Sequence, residues 1–308
     1  MALYKYVTKT RFDVLENGYI RFTQPAAFND PFELFPYFES ISPEKNIEQY
    51  IRKYEWDEAG IDQMMEESWQ KELKKYPGVN IPFPLIKSLM KNYFDQRKPL
   101  IMEMFQNFMT MKSPEFRELA INTIMKSIND TIGILCLSET PDNILMWSHY
   151  SANHTGFVIE FDENHSFFDQ RKKENEISGH IKKVRYSRMR PQIILFDPNL
   201  SNEENVEKWI KDFFWVKSSD WTYEQEWRIT QTFRDWKGII KETIPPTYLF
   251  PMPTDCIKAI IVGCRVKMSD LELLKILLKS DSKFSHIIMK KASIDEKQYQ
   301  INIKEINI

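Results

Sequence analysis

Glu224, Glu226 and Arg228 stand at alternate positions in the run Trp221-Thr222-Tyr223-Glu224-Gln225-Glu226-Trp227-Arg228. Read as a strand, this run turns those three side chains to one face and Tyr223, Gln225 and Trp227 to the other. Two carboxylates about 7 Å apart, with a cation beyond them, are costly to bury unless a ligand, a metal ion or a partner uses them. On an exposed edge, Glu226 and Arg228 would instead form a solvated ion pair.

A second block runs from Leu135-Cys136-Leu137-Ser138-Glu139-Thr140 into Met146-Trp147-Ser148-His149-Tyr150. Polar residues at the end of an apolar strand, followed by a helix, are well placed to display functional groups. His149 and His154 lie about 140° apart on a helix, a poor spacing for a shared metal. No GxSxG elbow accompanies the serines, so a hydrolase triad is not supported. The third block is Phe28-Asn29-Asp30-Pro31-Phe32-Glu33. Its proline holds Asp30 extended. Asn29 and Asp30 then either face a ligand from a fixed loop or belong to a rigid turn pinned by two phenylalanines.

The elements that must position these blocks are readable from periodicity. Strands are expected at Leu3–Val7, Tyr19–Phe22, Thr131–Ser138, Gly156–Phe161, Ile181–Tyr186, Glu224–Gln231, Ile257–Val262, His286–Lys290 and Tyr299–Lys304. Helices are expected at Thr10–Glu16, closed by Asn17-Gly18, and at Asp142–Tyr150, Asn205–Val216 and Ser269–Leu278, the last with a Ser269/Glu272 capping box. Residues 42–130 differ in texture. Ser42-Pro43-Glu44 and Ser113-Pro114-Glu115 read as helix starts, and the Met-rich segments between them have helical spacing. The expectation is an α+β fold with a mixed or antiparallel sheet core formed by residues 1–41 and 131–308, interrupted by a helical insertion at 42–130.

Bulk properties narrow the function classes. The 308 residues carry a net charge of -2, which opposes a broad grip on nucleic acid. The basic run Lys182, Lys183, Arg185, Arg188 and Arg190 reads as a solvated strand and turn. Three cysteines without a CxxC give no zinc ribbon or dithiol site and fit a reducing compartment. Eight glycines in all, with neither GxGxxG nor GxxxxGK[ST], argue against phosphate loops of those kinds. With no secretory leader pattern and no long apolar run, the chain is expected to be cytoplasmic and not membrane-bound.

Taken together, the three blocks FNDPFE, LSETPDNILMWSHYSANHTGFVIEF and WTYEQEWR resemble the bacterial domain-of-unknown-function family 2971, over most of the chain outside the insertion. That resemblance implies a context in phage defence and abortive infection rather than a reaction. A basic residue, a strand ending in serine and a Glu-x-Glu pair are, in that order, similar to ADP-ribosyltransferases of the Arg-Ser-Glu type. This similarity implies split sheets and NAD as the substrate, with no metal. Arg21 (or Lys5 or Arg11) would hold its phosphates or ribose, Ser138 would brace the site, Glu226 would be the catalytic acid and Glu224 would orient the acceptor. Tyr150, Trp147 or Tyr4 would sandwich the nicotinamide. Asn29, Asp30 and Arg228 complete the expected binding set, and His149 the catalytic one. Two other classes stand beside this one. One is a non-enzymatic defence component binding a phage or host protein. The other is a metal-dependent nuclease in which Asp30, Glu33, Glu160, Glu224 and Glu226 converge on divalent ions near Lys217.

Overall fold

The computed structural model describes residues 2–35, 37–40, 58–75, 82–85, 87–88, 100, 103–104, 107, 114–171, 178–194, 197, 199–233, 239–241 and 246–308. Much of the expected helical insertion, including the start at Ser42-Pro43-Glu44, lies outside these residues. The chain divides into two units: residues 1–36, 124–191 and 210–308 form the first, and residues 37–123 and 192–209 the second.

In the first unit the apolar runs pair into an eight-stranded sheet. Its order is β15 (Ile301–Glu305), β14 (Ile288–Ile294), β13 (Ile257–Val262), β5 (Phe157–Asp162), β1 (Ala2–Val7), β4 (Ile132–Ser138), β10 (Glu226–Thr232) and β6 (Lys182–Lys183). All neighbours are antiparallel except β13 and β14. Parallel strands need a crossover, and helix α6 (Met268–Ser280) supplies it. The fold is therefore α+β with a mixed sheet. A three-stranded sheet, β11 (Ile239–Lys241), β12 (Thr247–Pro251) and β2 (Tyr19–Phe22), and a parallel pair, β7 (Arg185–Ser187) with β9 (Val216–Ser218), complete this unit's strands among the described residues.

Both faces of the large sheet are buried, as period-2 alternation along its strands requires. Leu3, Val7, Leu135, Leu137, Phe157, Ile159 and Ile229 pack on one face with Leu271, Leu274 and Leu278 of α6 and with Val14 and Leu15 of α1 (Asp13–Asn17). Tyr6, Val158, Ile261 and Ala292 pack on the other with Met146 and Trp147 of α4 (Ile144–Tyr150). Helix α1 ends at Gly18 in the left-handed conformation, φ 66°, as Asn17-Gly18 suggests. The second unit contains α2 (Glu58–Leu73) and a parallel pair, β3 (Tyr37–Ser40) with β8 (Gln192–Ile194). Helices α3 (Pro114–Asn129) and α5 (Asn202–Phe214) have residues in both units. No helix among the described residues is long and apolar enough to cross a membrane.

Three expectations shift. The Ser269/Glu272 capping box does not form: α6 starts at Met268, with Lys267 as an N-cap that makes no side-chain bond. The strand expected at Ile181–Tyr186 breaks into β6 and β7 around Val184, whose N–H donates to the Glu226 carbonyl. Most consequentially, Glu224 is not in a strand. It closes a 3-10 turn, Ser219–Glu224, and Gln225 reverses the chain at φ 44° before β10 begins. Alternation alone could not reveal that reversal.

The link from α4 to β5 is tightly drawn. Ala152, Asn153 and His154 are successively left-handed at φ 48°, 55° and 69°, a costly run for residues bearing a Cβ. The turn is held by the Arg265 N–H on the His154 carbonyl at 3.0 Å and the Gly263 N–H on the Gly156 carbonyl at 2.9 Å. A Cβ at Gly263 would fall inside contact distance of the His154 carbonyl oxygen. Gly263→Ala is therefore expected to lower stability by about 1–3 kcal/mol, read as a lower urea midpoint. An unchanged midpoint would mean that the turn yields freely.

Candidate functional site

The exposed polar groups of one strand edge locate the site. Strand β4 uses that edge twice: Ser138 pairs with Tyr4 of β1, and Ile134 bridges to Thr23, just beyond β2. Between those points the Lys5 ammonium donates to the Cys136 carbonyl, at 2.8 Å. Where β1 and β2 diverge there is a cavity of about 360 Å³, within the size range of small-molecule sites.

All three sequence blocks reach this cavity. Asn29 and Phe28 come from the first, Ser138, Met146, His149 and Tyr150 from the second, Glu224 and Glu226 from the third, with Lys5, Arg21 and Lys217 beside them. Of the residues singled out for the NAD site, Glu226, Glu224, His149, Arg21, Lys5, Asn29, Ser138, Tyr150 and Tyr4 line it. Arg11, Asp30, Trp147 and Arg228 do not. Asp30 is a buried turn acceptor, its Oδ1 taking the Phe32 N–H at 2.8 Å. Trp147 is a core residue with no exposed surface, its indole N–H given to the Pro141 carbonyl at 2.7 Å. Arg228 is fully buried behind Glu226. These corrections share a cause: large or charged groups in the same blocks as the cavity residues are spent on packing and neutralisation.

One wall of the cavity is acidic and closely paired. Lys217 on β9 puts its ammonium 2.5 Å from Glu224, 3.1 Å from Glu226 and 3.4 Å from Glu33. Arg228 forks onto both oxygens of Glu226, at 2.7 and 2.9 Å, bonds Glu33, and gives a further N–H to the Phe214 carbonyl at 2.8 Å. The solvated edge ion pair is thus ruled out, since these side chains are almost wholly buried. Burial, reinforced by Glu224, raises the Glu226 carboxyl above its ordinary range, against the pull of Lys217. Charge balance on Glu226 and Glu224 pushes the other way on Lys217, whose ammonium is stabilised well above its usual value despite its burial.

The backbone around this wall is pinned by the second block. Ser138 Oγ donates to the Glu224 carbonyl at 2.6 Å, and the Tyr150 hydroxyl donates to Glu224 Oε1 at 2.6 Å. Asn143 caps α4 through Oδ1, accepting from Leu145 and Met146, and its amide reaches the Tyr223 carbonyl at 3.2 Å. His149, exposed at the mouth, shares a 3.0 Å hydrogen bond with the Tyr223 hydroxyl. Tyr186, missed from the sequence, accepts the Glu226 N–H at 2.8 Å. Cys136 was likewise missed, although alternation on β4 puts it on the face of Ser138. Its thiol is pushed well above its usual value by burial.

Basic residues also line the cavity. Arg21 is half-buried, its Nε has no hydrogen-bond partner, and it forms no ion pair among the described residues. Of the carboxylates named for metal binding, Glu160 is instead paired with Lys290 at 2.7 Å, and the Lys217 ammonium occupies the point on which Glu33, Glu224 and Glu226 converge.

Residues 146–229 match the model of a family described as a protein of unknown function (DUF2971). The match spans α4 to β10, hence the later part of the second block and all of the third, and it is narrower than the resemblance read from the three blocks. No curated protein and no solved structure among those compared with the chain matches it.

Proposed function

We propose that this cavity is the active site of an NAD-consuming enzyme of the ADP-ribosyltransferase kind, which transfers or hydrolyses at the nicotinamide–ribose bond. The observation that carries the reading is a single cavity lined both by Glu224, Glu226 and Tyr150 and by the unpartnered Arg21. A guanidinium of that kind suits a pyrophosphate. In the reaction the bond from ribose C1′ to the pyridinium nitrogen breaks, and its electron pair leaves with nicotinamide. The ribose passes through an oxocarbenium-like state, which a fixed carboxylate stabilises. Water or an acceptor nucleophile then bonds C1′ and gives up its proton to a carboxylate. Glu226 is held for this by Arg228 and Lys217, and Glu224 by Tyr150. NAD depletion would suit a toxin-type or antiphage effector.

The test is nicotinamide release from NAD by purified protein. Glu226→Gln is expected to lower the rate at least about 100-fold with its thermal melt still cooperative. Wild-type protein that releases none would overturn the reading. A second reading, a non-enzymatic component binding a phage or host protein, draws on the closure of the Glu33, Lys217, Glu226 and Arg228 network, whose members neutralise one another. The metal-dependent nuclease reading would require a divalent ion to displace the Lys217 ammonium.

A further inference from the structure

Two lysines line the cavity under opposite conditions. Lys217 is surrounded by three carboxylates. Lys5 donates only to a backbone carbonyl, that of Cys136, and forms no ion pair among the described residues. The charged groups that face Lys5 are Arg11, Arg21 and Glu226, together with the Cys136 thiol. The thiol is uncharged at neutral pH because burial holds it protonated. The Glu226 charge is already taken up by Arg228 and Lys217 at hydrogen-bond distance. Arg11 is itself paired with Asp13 at 3.0 Å, which leaves Arg21 as the unneutralised neighbour. Burial draws the Lys5 ammonium below its ordinary value against the pull of Cys136 and Glu226, and Arg11 and Arg21 add smaller pushes in the same direction as burial. An amine so placed is nucleophilic, whereas Lys217 is locked as a cation.

We infer that Lys5 is a covalent acceptor: its amine condenses with the aldehyde of an anionic ligand whose negative group rests on Arg21. The Nζ lone pair attacks the carbonyl carbon and a C=N bond replaces C=O. Both amine hydrogens leave with the oxygen as water, so the step needs no oxidant or co-reactant. The ligand class is a phosphorylated aldehyde or aldose. The inference goes beyond the NAD reading and does not depend on it.

The probe is pyridoxal 5′-phosphate at low stoichiometry near neutral pH, followed by borohydride reduction and peptide mapping. The expected result is one dominant reduced adduct, on Lys5, which Lys5→Arg removes while keeping the charge and the donor to Cys136. Arg21→Gln is expected to raise the half-labelling concentration about tenfold, the loss of one charge-assisted contact, and to weaken labelling by pyridoxal, which lacks the phosphate, by clearly less, since there only the charge effect of Arg21 on Lys5 is lost. Label spread over exposed lysines with no preference for Lys5, or Lys217 labelled as readily, would overturn the inference. If Lys5→Arg fails to fold, the pH profile of wild-type labelling decides. Lys5 should label at lower pH than exposed lysines, and coincident profiles would refute the inference.

Discussion

Replacing Lys217 with methionine is expected to destabilise the folded protein by about 3–5 kcal/mol. Methionine nearly matches the volume removed, so the cost comes from charge rather than from an empty space. Without the ammonium, Glu224 keeps only the Tyr150 hydroxyl, and Glu226 and Glu33 must share Arg228. Buried carboxylates in that position relieve the strain by binding protons. The Glu226 carboxyl is raised by burial even with Lys217 present, and removing that cation raises it further. A carboxyl raised in the folded state contributes stability below its unfolded value, near about pH 4, and loses it as pH climbs through the folded value. The deficit of Lys217→Met should therefore be larger at pH 8 than at pH 5 in urea unfolding. Adding Glu224→Gln should recover part of it, because one uncompensated charge is gone. A deficit below about 1 kcal/mol at both pH values is what a solvated surface pair gives and would refute the buried cluster.

How much of this was readable in advance depends on the scale of the signal. Strands such as Tyr19–Phe22 and Ile257–Val262 form where their alternation and apolar runs place them. Helix α4 follows the middle block because Asn143 caps it. Glu224, Glu226 and Tyr150 were readable as polar groups beside apolar elements, whereas Arg21 was singled out, with Lys5 and Arg11, only by the similarity to ADP-ribosyltransferases. The partners were harder to foresee. Nothing local to Lys217 shows that it bridges three carboxylates, two of which lie seven and nine residues on, while Glu33 is distant in sequence. The parallel pairing of β7 with β9 sets Tyr186 opposite Lys217, a pairing that no local pattern announces. The left-handed Gln225 is equally silent in sequence, since it is neither glycine nor asparagine. A strand reading of Glu224 reached the right face for the wrong reason.

Trp147 is one of three aromatics, with Tyr150 and Tyr4, that the similarity to ADP-ribosyltransferases offers for a ligand ring, and its buried position makes a second large effect. Its side chain has no exposed surface, meets Tyr6 edge to face at 5.4 Å and gives its N–H to the Pro141 carbonyl at 2.7 Å. Trp147→Ala is expected to cost about 3–5 kcal/mol through lost burial and the space left behind. Trp147→Phe keeps a ring but leaves the Pro141 carbonyl without that donor, so it should cost about 1–3 kcal/mol. Chemical unfolding of both variants checks the order. An alanine variant as stable as wild type would return Trp147 to the ligand-facing role. The consequence reaches the cavity because of helix geometry. Met146 and Tyr150, one turn apart on α4, face the cavity, while Trp147, about 100° around from Met146, faces the core. Anchoring the helix from its core side sets where the Tyr150 hydroxyl meets Glu224. A folded Trp147→Phe variant should therefore bind a cavity ligand more weakly than wild type, although Trp147 itself does not line the cavity.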